Sequence, residues 1–240
     1  FQFCDLITVR PSLGTSFLLG TLYLRAKCLH LLAKLGDLDD PIAYDLLPKS
    51  TRGVVSAGLF DGVSNFLEWV SARTVFLNEG CDAFLSSPAC AGGKDCQVVI
   101  FGAGFDTRSI RYQREGLRFF EVDLPNVVEA KRKMSAGYCA ARGVAPAPAL
   151  AADLNEAAGD VLARLEGAGV GLDRAARTLV VSEAVLFYLS PPAKAKLLAE
   201  CAALVDGVDG SALVLADNLA PYVRGPARAA ADAYFGDLGL

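Results

Sequence analysis

A doubly wound α/β fold with a parallel sheet is predicted by three features of this sequence. The first is the stretch CQVVIFGAGFDTR at residues 96–108, where an apolar run rich in β-branched residues ends on two closely spaced glycines. The second is the alternation of such runs with helical stretches from residue 96 onward. The third is a set of acids, Asp106, Asp123, Asp153 and Glu183, at or just past the predicted strand ends, where one rim of the sheet would gather them. The chain has 240 residues and shows no internal repeat, so it reads as one domain. Residues 1–95 form an N-terminal helical part and residues 96–240 the α/β core.

Taken in order, residues 15–35 are leucine-rich, but Arg25, Lys27 and Lys34 interrupt them before a bilayer could be spanned. They are read as an amphipathic helix carrying His30, the single histidine, in a structural or exposed position. The run GDLDDP at residues 36–41 breaks that helix and leads into a short helical stretch at residues 42–47. Asn65 and Glu68 have the spacing of a capping box. The helix they open would bury Phe66, Trp69, Val70, Val75, Phe76 and Leu77, and Arg73 falls among these apolar residues. A charge there must snorkel, pair or meet a ligand. Residues 86–94 are a loop of small residues.

The first strand, residues 97–101, runs into Gly102-Ala103-Gly104, where the absence of Cβ atoms permits a sharp turn and a close approach of backbone to ligand. Asp106 and Thr107 have oxygens suited to capping the next helical turn. The second strand, residues 117–122, ends at Asp123, about 20 residues past the glycine turn, where a ribose diol is held in nucleotide-binding folds. Capping the helix that starts at Pro125 is the alternative role for this acid. A helix over residues 127–142 follows, then a strand at 150–152 ending at Asp153-Leu154, and one helix over 156–165. Residues 177–182 form the fourth strand, ending at Glu183. Ser190-Pro191 starts a helix whose apolar face includes Ala195, Leu198, Ala202 and Val205, and residues 211–216 form a fifth strand with Asp217 at its end.

Composition narrows the function. The apolar fraction is 53% and the charged fraction 21%, as in globular chains. A net charge of −4 without a long basic run excludes a broad nucleic-acid surface, and no membrane partner is expected. The seven cysteines contain no CxxC pair, so no metal site is expected. They are read as small core residues in a reducing, cytoplasmic setting. A GxG turn followed by an acid also fits a dinucleotide oxidoreductase, but the third glycine of that fingerprint is absent.

Four motifs, GAGFDTR at 102–108, FFEVDLPNVVEAKR at 119–132, ADL at 152–154 and SEAVLFYL at 182–189, resemble the leucine carboxyl methyltransferase family in order and spacing. DDP at 39–41 and ART at 72–74 resemble its amino-terminal pattern, and the likeness runs from about residue 14 to about residue 218. The resemblance implies a Rossmann-like class I methyltransferase that uses S-adenosyl-L-methionine. It implies that Arg73 pairs with the methionine carboxylate, that Gly102 and Gly104 shape the turn beside the methionine portion, and that Asp123 holds the ribose hydroxyls. Asp153 and the Leu154 backbone would hold the adenine edge, Glu183 would face the methionine amino group, and Tyr188 would border the acceptor pocket. No catalytic residue is assigned. Members of the family continue with further strands and a helical insertion, whereas residues 219–240 are all that follow here, so the C-terminal strands are expected to be missing and the chain truncated.

The implied activity is O-methylation. Its acceptor would be a carboxylate, such as the C-terminal leucine of a type 2A protein phosphatase, or a small-molecule oxygen. The upstream DDP and RT pieces resemble the bacterial-type branch, for which a small molecule is expected. A carboxylate needs no general base, and the only histidine lies far upstream. A non-catalytic or degenerate cofactor-binding member is the alternative, with the NAD-dependent oxidoreductase behind it.

Overall fold

The computed structural model describes residues 40–47, 49, 52–53, 57, 64–91, 96–167 and 169–217. The leucine-rich stretch 15–35, His30, Cys4, Cys28 and residues 219–240 lie outside the described residues, as do the side chains of Asn65, Phe66, Glu68, Trp69 and Val70.

Among the described residues, the helices α1 (Pro41–Leu46) and α2 (Ser64–Ser86) precede the sheet. The order then runs β1 (Cys96–Phe101), α3 (Arg108–Arg111), β2 (Leu117–Asp123), α4 (Pro125–Arg142), β3 (Ala149–Ala151), α5 (Leu154–Ala157) and α6 (Val161–Gly167). It continues through β4 (Arg177–Glu183), a 3₁₀ turn at Leu186–Tyr188, α7 (Pro191–Val205) and β5 (Ala212–Ala216). The five strands pair in parallel in the order β3-β2-β1-β4-β5. The chain therefore reverses direction across the sheet between β1 and β4, and the crevice outside the carboxyl ends of these strands is where α/β sheets bind ligands.

Burial on both faces explains the continuous apolar runs. On one face Val99, Phe101, Phe120, Val122 and Val180 pack with Val161, Leu162, Leu165, Leu197 and Leu198 of α6 and α7. On the other, Val98, Ile100, Phe119, Leu179 and Val181 pack with Leu77, Cys81, Phe84 and Leu85 of α2. Glu121, Asp123 and Glu183 share this second face by the period of two along a strand, so α2 and the site acids meet on the same side of the sheet. Glu121 is matched there by Lys131 of α4 at 2.7 Å, both side chains buried.

Several sequence expectations are corrected. Asp106 and Thr107 do not cap α3 together: Asp106 Oδ1 accepts from the Arg108 N–H at 2.6 Å, whereas the Thr107 hydroxyl donates to Asp40 Oδ2 at 2.7 Å. Asp40 also N-caps α1 through the Ala43 N–H, so the DDP run pins α1 to the glycine turn. The helix expected over 156–165 is two helices, separated where Gly159 adopts φ 98°. Phe76, expected in the core, is 52% exposed, because Leu77 takes the inward position of that turn. In α7 the buried face is Ala193, Lys194, Leu197, Leu198, Cys201 and Leu204, about one residue away from the predicted stripe, with Ala195 exposed. The cysteines are not all thiols: Cys90 and Cys96 form a disulfide that ties the segment after α2 to the start of β1, while Cys81, Cys139 and Cys201 are buried and free. Among the described residues no helix is long and apolar enough to cross a membrane.

Candidate cofactor site

The site is built on the turn after β1. Gly102 and Gly104 have φ of 62° and 44°, in the left-handed region where a Cβ is costly. At Gly102 a second constraint applies, since a Cβ there would lie 2.3 Å from Val185 Cγ2. The turn is fixed from β2: Asp123 Oδ2 accepts the Gly104 N–H at 2.6 Å and Oδ1 accepts the Leu124 N–H at 2.7 Å. Asp123 thus does not act as the side-chain cap of α4, whose N-cap is Leu124. Burial raises the Asp123 pKa above the ordinary carboxylate range, and the Gly104 and Leu124 N–H groups and Lys131 pull the other way. Each oxygen of this carboxylate has a second lone pair beyond its N–H partner.

Glu183, at the end of β4, faces two arginines. Arg73 Nε of α2 donates to its Oε1 at 3.0 Å, and Arg108 Nη1 donates to its Oε2 at 2.9 Å. The charge that the sequence places in an apolar helix run therefore has a protein partner, 110 residues away in sequence. Arg108 is fully buried and also grips Asp106, so Asp106, counted from sequence among the rim acids, is turned inward onto a cation. Asp153 is half-buried and N-caps α5 through the Asn155 N–H at 2.9 Å, while the Leu154 side chain belongs to the core. The Ala152 N–H donates to the Asp123 carbonyl at 2.8 Å, which sets the turn from β3 into Asp153 beside the end of β2.

The loop after β4 closes the site on the other side. Ala184 has φ 57°, a left-handed conformation that costs a residue with a Cβ about 1–3 kcal/mol. It is held by its N–H to the Ala216 carbonyl at 2.8 Å, and Asp217 accepts the Val185 N–H at 2.7 Å and the Leu186 N–H. Tyr188 follows at 45% exposure. Its phenol is raised by partial burial first, lowered by Arg73, and raised further by Asp217 and Asp123. Asn155 ties this loop to α5, donating to the Tyr188 carbonyl and accepting from the Ser190 N–H.

The sequence missed Arg108, Asn78, Asn155 and Asp217 as site-building residues. Arg108 had a signal in its place inside the GAGFDTR motif, and Asp217 in its place at the end of the fifth strand. The others lie outside any motif and are brought in by tertiary contacts.

Residues 25–202, more than half of the chain, match the family described as leucine carboxyl methyltransferase. The chain belongs to that family. A Saccharopolyspora erythraea protein assigned as an S-adenosyl-L-methionine-dependent methyltransferase is 34% identical over 68% of this chain and 54% of its own length. A Mycolicibacterium gilvum protein of the same assignment is 35% identical over 57% of this chain and 41% of its own. The chain thus spans about half the length of the curated relatives it matches. A crystal structure of a protein assigned as a methyltransferase from Thermobifida fusca is similar over 79% of this chain and 64% of its own, with a TM-score of 0.44 and 19% identity.

The described residues fit the family's cofactor by their own chemistry. Asp123 offers two oxygens oriented by backbone N–H groups, as a ribose diol requires. Arg73 and Glu183 set opposite charges side by side at the rim, matching the carboxylate and ammonium of an amino acid.

Proposed function

We propose that this protein is an S-adenosyl-L-methionine-dependent O-methyltransferase whose acceptor is a carboxylate, with a small-molecule oxygen as the alternative acceptor. The observation that carries the reading is the Asp123 carboxylate, held by Gly104 and Leu124 at the carboxyl end of β2, the strand next to β1, in a chain of this family. When bound, the cofactor supplies an activated methyl group on a sulfonium, open to in-line displacement by an oxygen. The residues of the chain contribute position and charge. Asp123 takes the ribose hydroxyls, Arg73 the methionine carboxylate, and Glu183 the amino group, while Asp153 and the Leu154 backbone border the adenine. The Gly102 turn against Val185 excludes a side chain from the space beside the methionine portion.

The acceptor choice is supported by Tyr188. Its raised phenol pKa keeps it protonated near neutral pH, so it serves as a hydrogen-bond donor and not as a base. A carboxylate acceptor arrives ionised and needs no base. The leucine carboxylate at the C-terminus of a type 2A protein phosphatase is one acceptor of this class, and a free organic acid is another. On the same reading neither nucleic acid nor membrane is a partner, which the net charge of −4 supports.

Calorimetric titration with S-adenosyl-L-methionine, with NAD as control, tests the cofactor; micromolar affinity for the first alone is expected. Transfer of labelled methyl to a leucine-terminated peptide, but not to its C-terminal amide, tests the acceptor class. A folded chain that binds NAD and not S-adenosyl-L-methionine would overturn the proposal.

A further inference from the structure

Arg108 has no exposed surface. An arginine keeps its charge at any ordinary pH, so a buried one must be surrounded by acceptors. Arg108 meets them on three sides. Nε donates to Asn78 Oδ1 at 3.0 Å, Nη2 to the Thr74 carbonyl at 3.4 Å, and Nη1 to Asp106 Oδ2 and to Glu183 Oε2 at 2.9 Å. Asp106 is itself fixed, because its other oxygen accepts the Arg108 backbone N–H at 2.6 Å. Asn78 is held a second time by Arg111 Nη2 at 2.7 Å. The guanidinium is therefore anchored to α2 and to the glycine turn before it reaches β4.

Glu183 is held from its two ends by two arginines in different circumstances. Oε2 meets the fully buried, multiply anchored Arg108, and Oε1 meets Arg73 at the rim, 9% exposed. We propose that Arg108 is a positioning residue for the amino-acid end of the cofactor: it locks Glu183 through Oε2 so that Oε1 stays presented beside Arg73. The inference rests on the reading of Glu183 and Arg73 as the ends that take the methionine ammonium and carboxylate. Lysine has a single nitrogen and cannot serve Asp106 and Glu183, as Nη1 does, while also donating to Asn78 and to the Thr74 carbonyl, as Nε and Nη2 do. A residue that merely stapled α2 to the sheet would affect all ligands of the site alike.

Two ligands separate these roles. S-adenosylhomocysteine carries the amino-acid end, and 5′-methylthioadenosine shares the ribose and adenine without it. Arg108→Lys is expected to weaken S-adenosylhomocysteine about tenfold or more and to leave 5′-methylthioadenosine within about twofold. Glu183→Gln should show the same selectivity, and the double variant should be no weaker than Glu183→Gln alone, because Arg108 acts through Glu183. Equal losses for both ligands, or additive losses in the double variant, would overturn the positioning role. Should Arg108→Lys fail to fold, Asn78→Ala removes one anchor while leaving the contact to Glu183 in place. A several-fold loss confined to S-adenosylhomocysteine then supports the proposal, and equal or absent losses overturn it. A parent chain that binds 5′-methylthioadenosine but gains nothing from the amino-acid end would overturn the reading of Glu183 and Arg73, and the role of Arg108 with it.

Discussion

Gly102→Ala tests the architecture of the site at its tightest point. Two costs are superposed there. The backbone φ of 62° puts a residue with a Cβ in the left-handed region, at about 1–2 kcal/mol. The new Cβ would also lie 2.3 Å from Cγ2 of Val185, a short β-branched side chain with little freedom to turn away, and the Val185 backbone is restrained from withdrawing because its N–H is tied to Asp217 at 2.7 Å. Overpacking of this kind costs about 1–3 kcal/mol, so the sum is about 2–5 kcal/mol. At about 2–4 °C per kcal/mol for a domain of this size, Tm should fall by roughly 4–20 °C. The partner substitution separates the two costs. In Gly102→Ala/Val185→Ala the Val185 Cγ atoms are gone and the nearest neighbour becomes the residue 185 Cβ at 3.4 Å, an ordinary contact. Val185→Ala alone loses two buried methyl groups, about 1.6 kcal/mol at 0.8 kcal/mol each. The double variant should then be about 1–3 kcal/mol more stable than the sum of the singles predicts. Urea unfolding of the four chains measures this directly. Additivity within about 0.5 kcal/mol, or a Gly102→Ala chain that melts with the parent, would refute the packing argument.

Asp123→Ala should weaken S-adenosyl-L-methionine by about 1.5–3 kcal/mol, or roughly 10- to 150-fold by calorimetry, and unchanged affinity in a folded variant would remove Asp123 from the site. Arg73→Ala should weaken S-adenosyl-L-methionine more than adenosine, which lacks the carboxylate; equal losses would count against the pairing. Lys131→Met should cost about 3–5 kcal/mol by stranding the buried Glu121 carboxylate, and adding Glu121→Leu should restore most of it, as read from denaturant midpoints. Burial, opposed by Arg108, pushes the Cys81 thiol up to about 12 from 9.0. The stability from keeping it protonated is then complete below pH 9 and is lost at about 1.4 kcal/mol per pH unit as the unfolded thiol ionises and the folded one does not. Cys81→Ala should therefore show a shallower loss of stability between pH 9 and 11 than the parent, and parallel profiles would contradict the assigned burial.

Local patterns made much of the fold legible. The β-branched run before Gly102, the spacing to Asp123 and the Ser190-Pro191 helix start are each written within a few residues, and they fall in β1, β2 and α7 as expected. Errors arose where neighbours in space decide. Phe76 and Leu77 are both apolar, and only the packing of α2 on the sheet selects Leu77 for the core. The inward face of α7 is set by how that helix lies on β4 and β5, which shifts the buried stripe by a residue. Gly159 breaks a helix that its flanking residues alone would continue.

The sequence by itself determined the class of fold, the glycine turn and the place of Asp123 at the end of β2, because strand period, glycine conformation and short spacing are local properties of a chain. The tertiary structure decided the charge arrangement around Glu183. Arg73 lies 110 residues from Glu183 and Arg108 lies 75, so no local pattern could say that the two guanidinium groups converge on one carboxylate. Motif matching names such residues, but the distribution of their oxygens and N–H groups follows from closing the sheet against α2, where buried charges must find each other or remain unmatched.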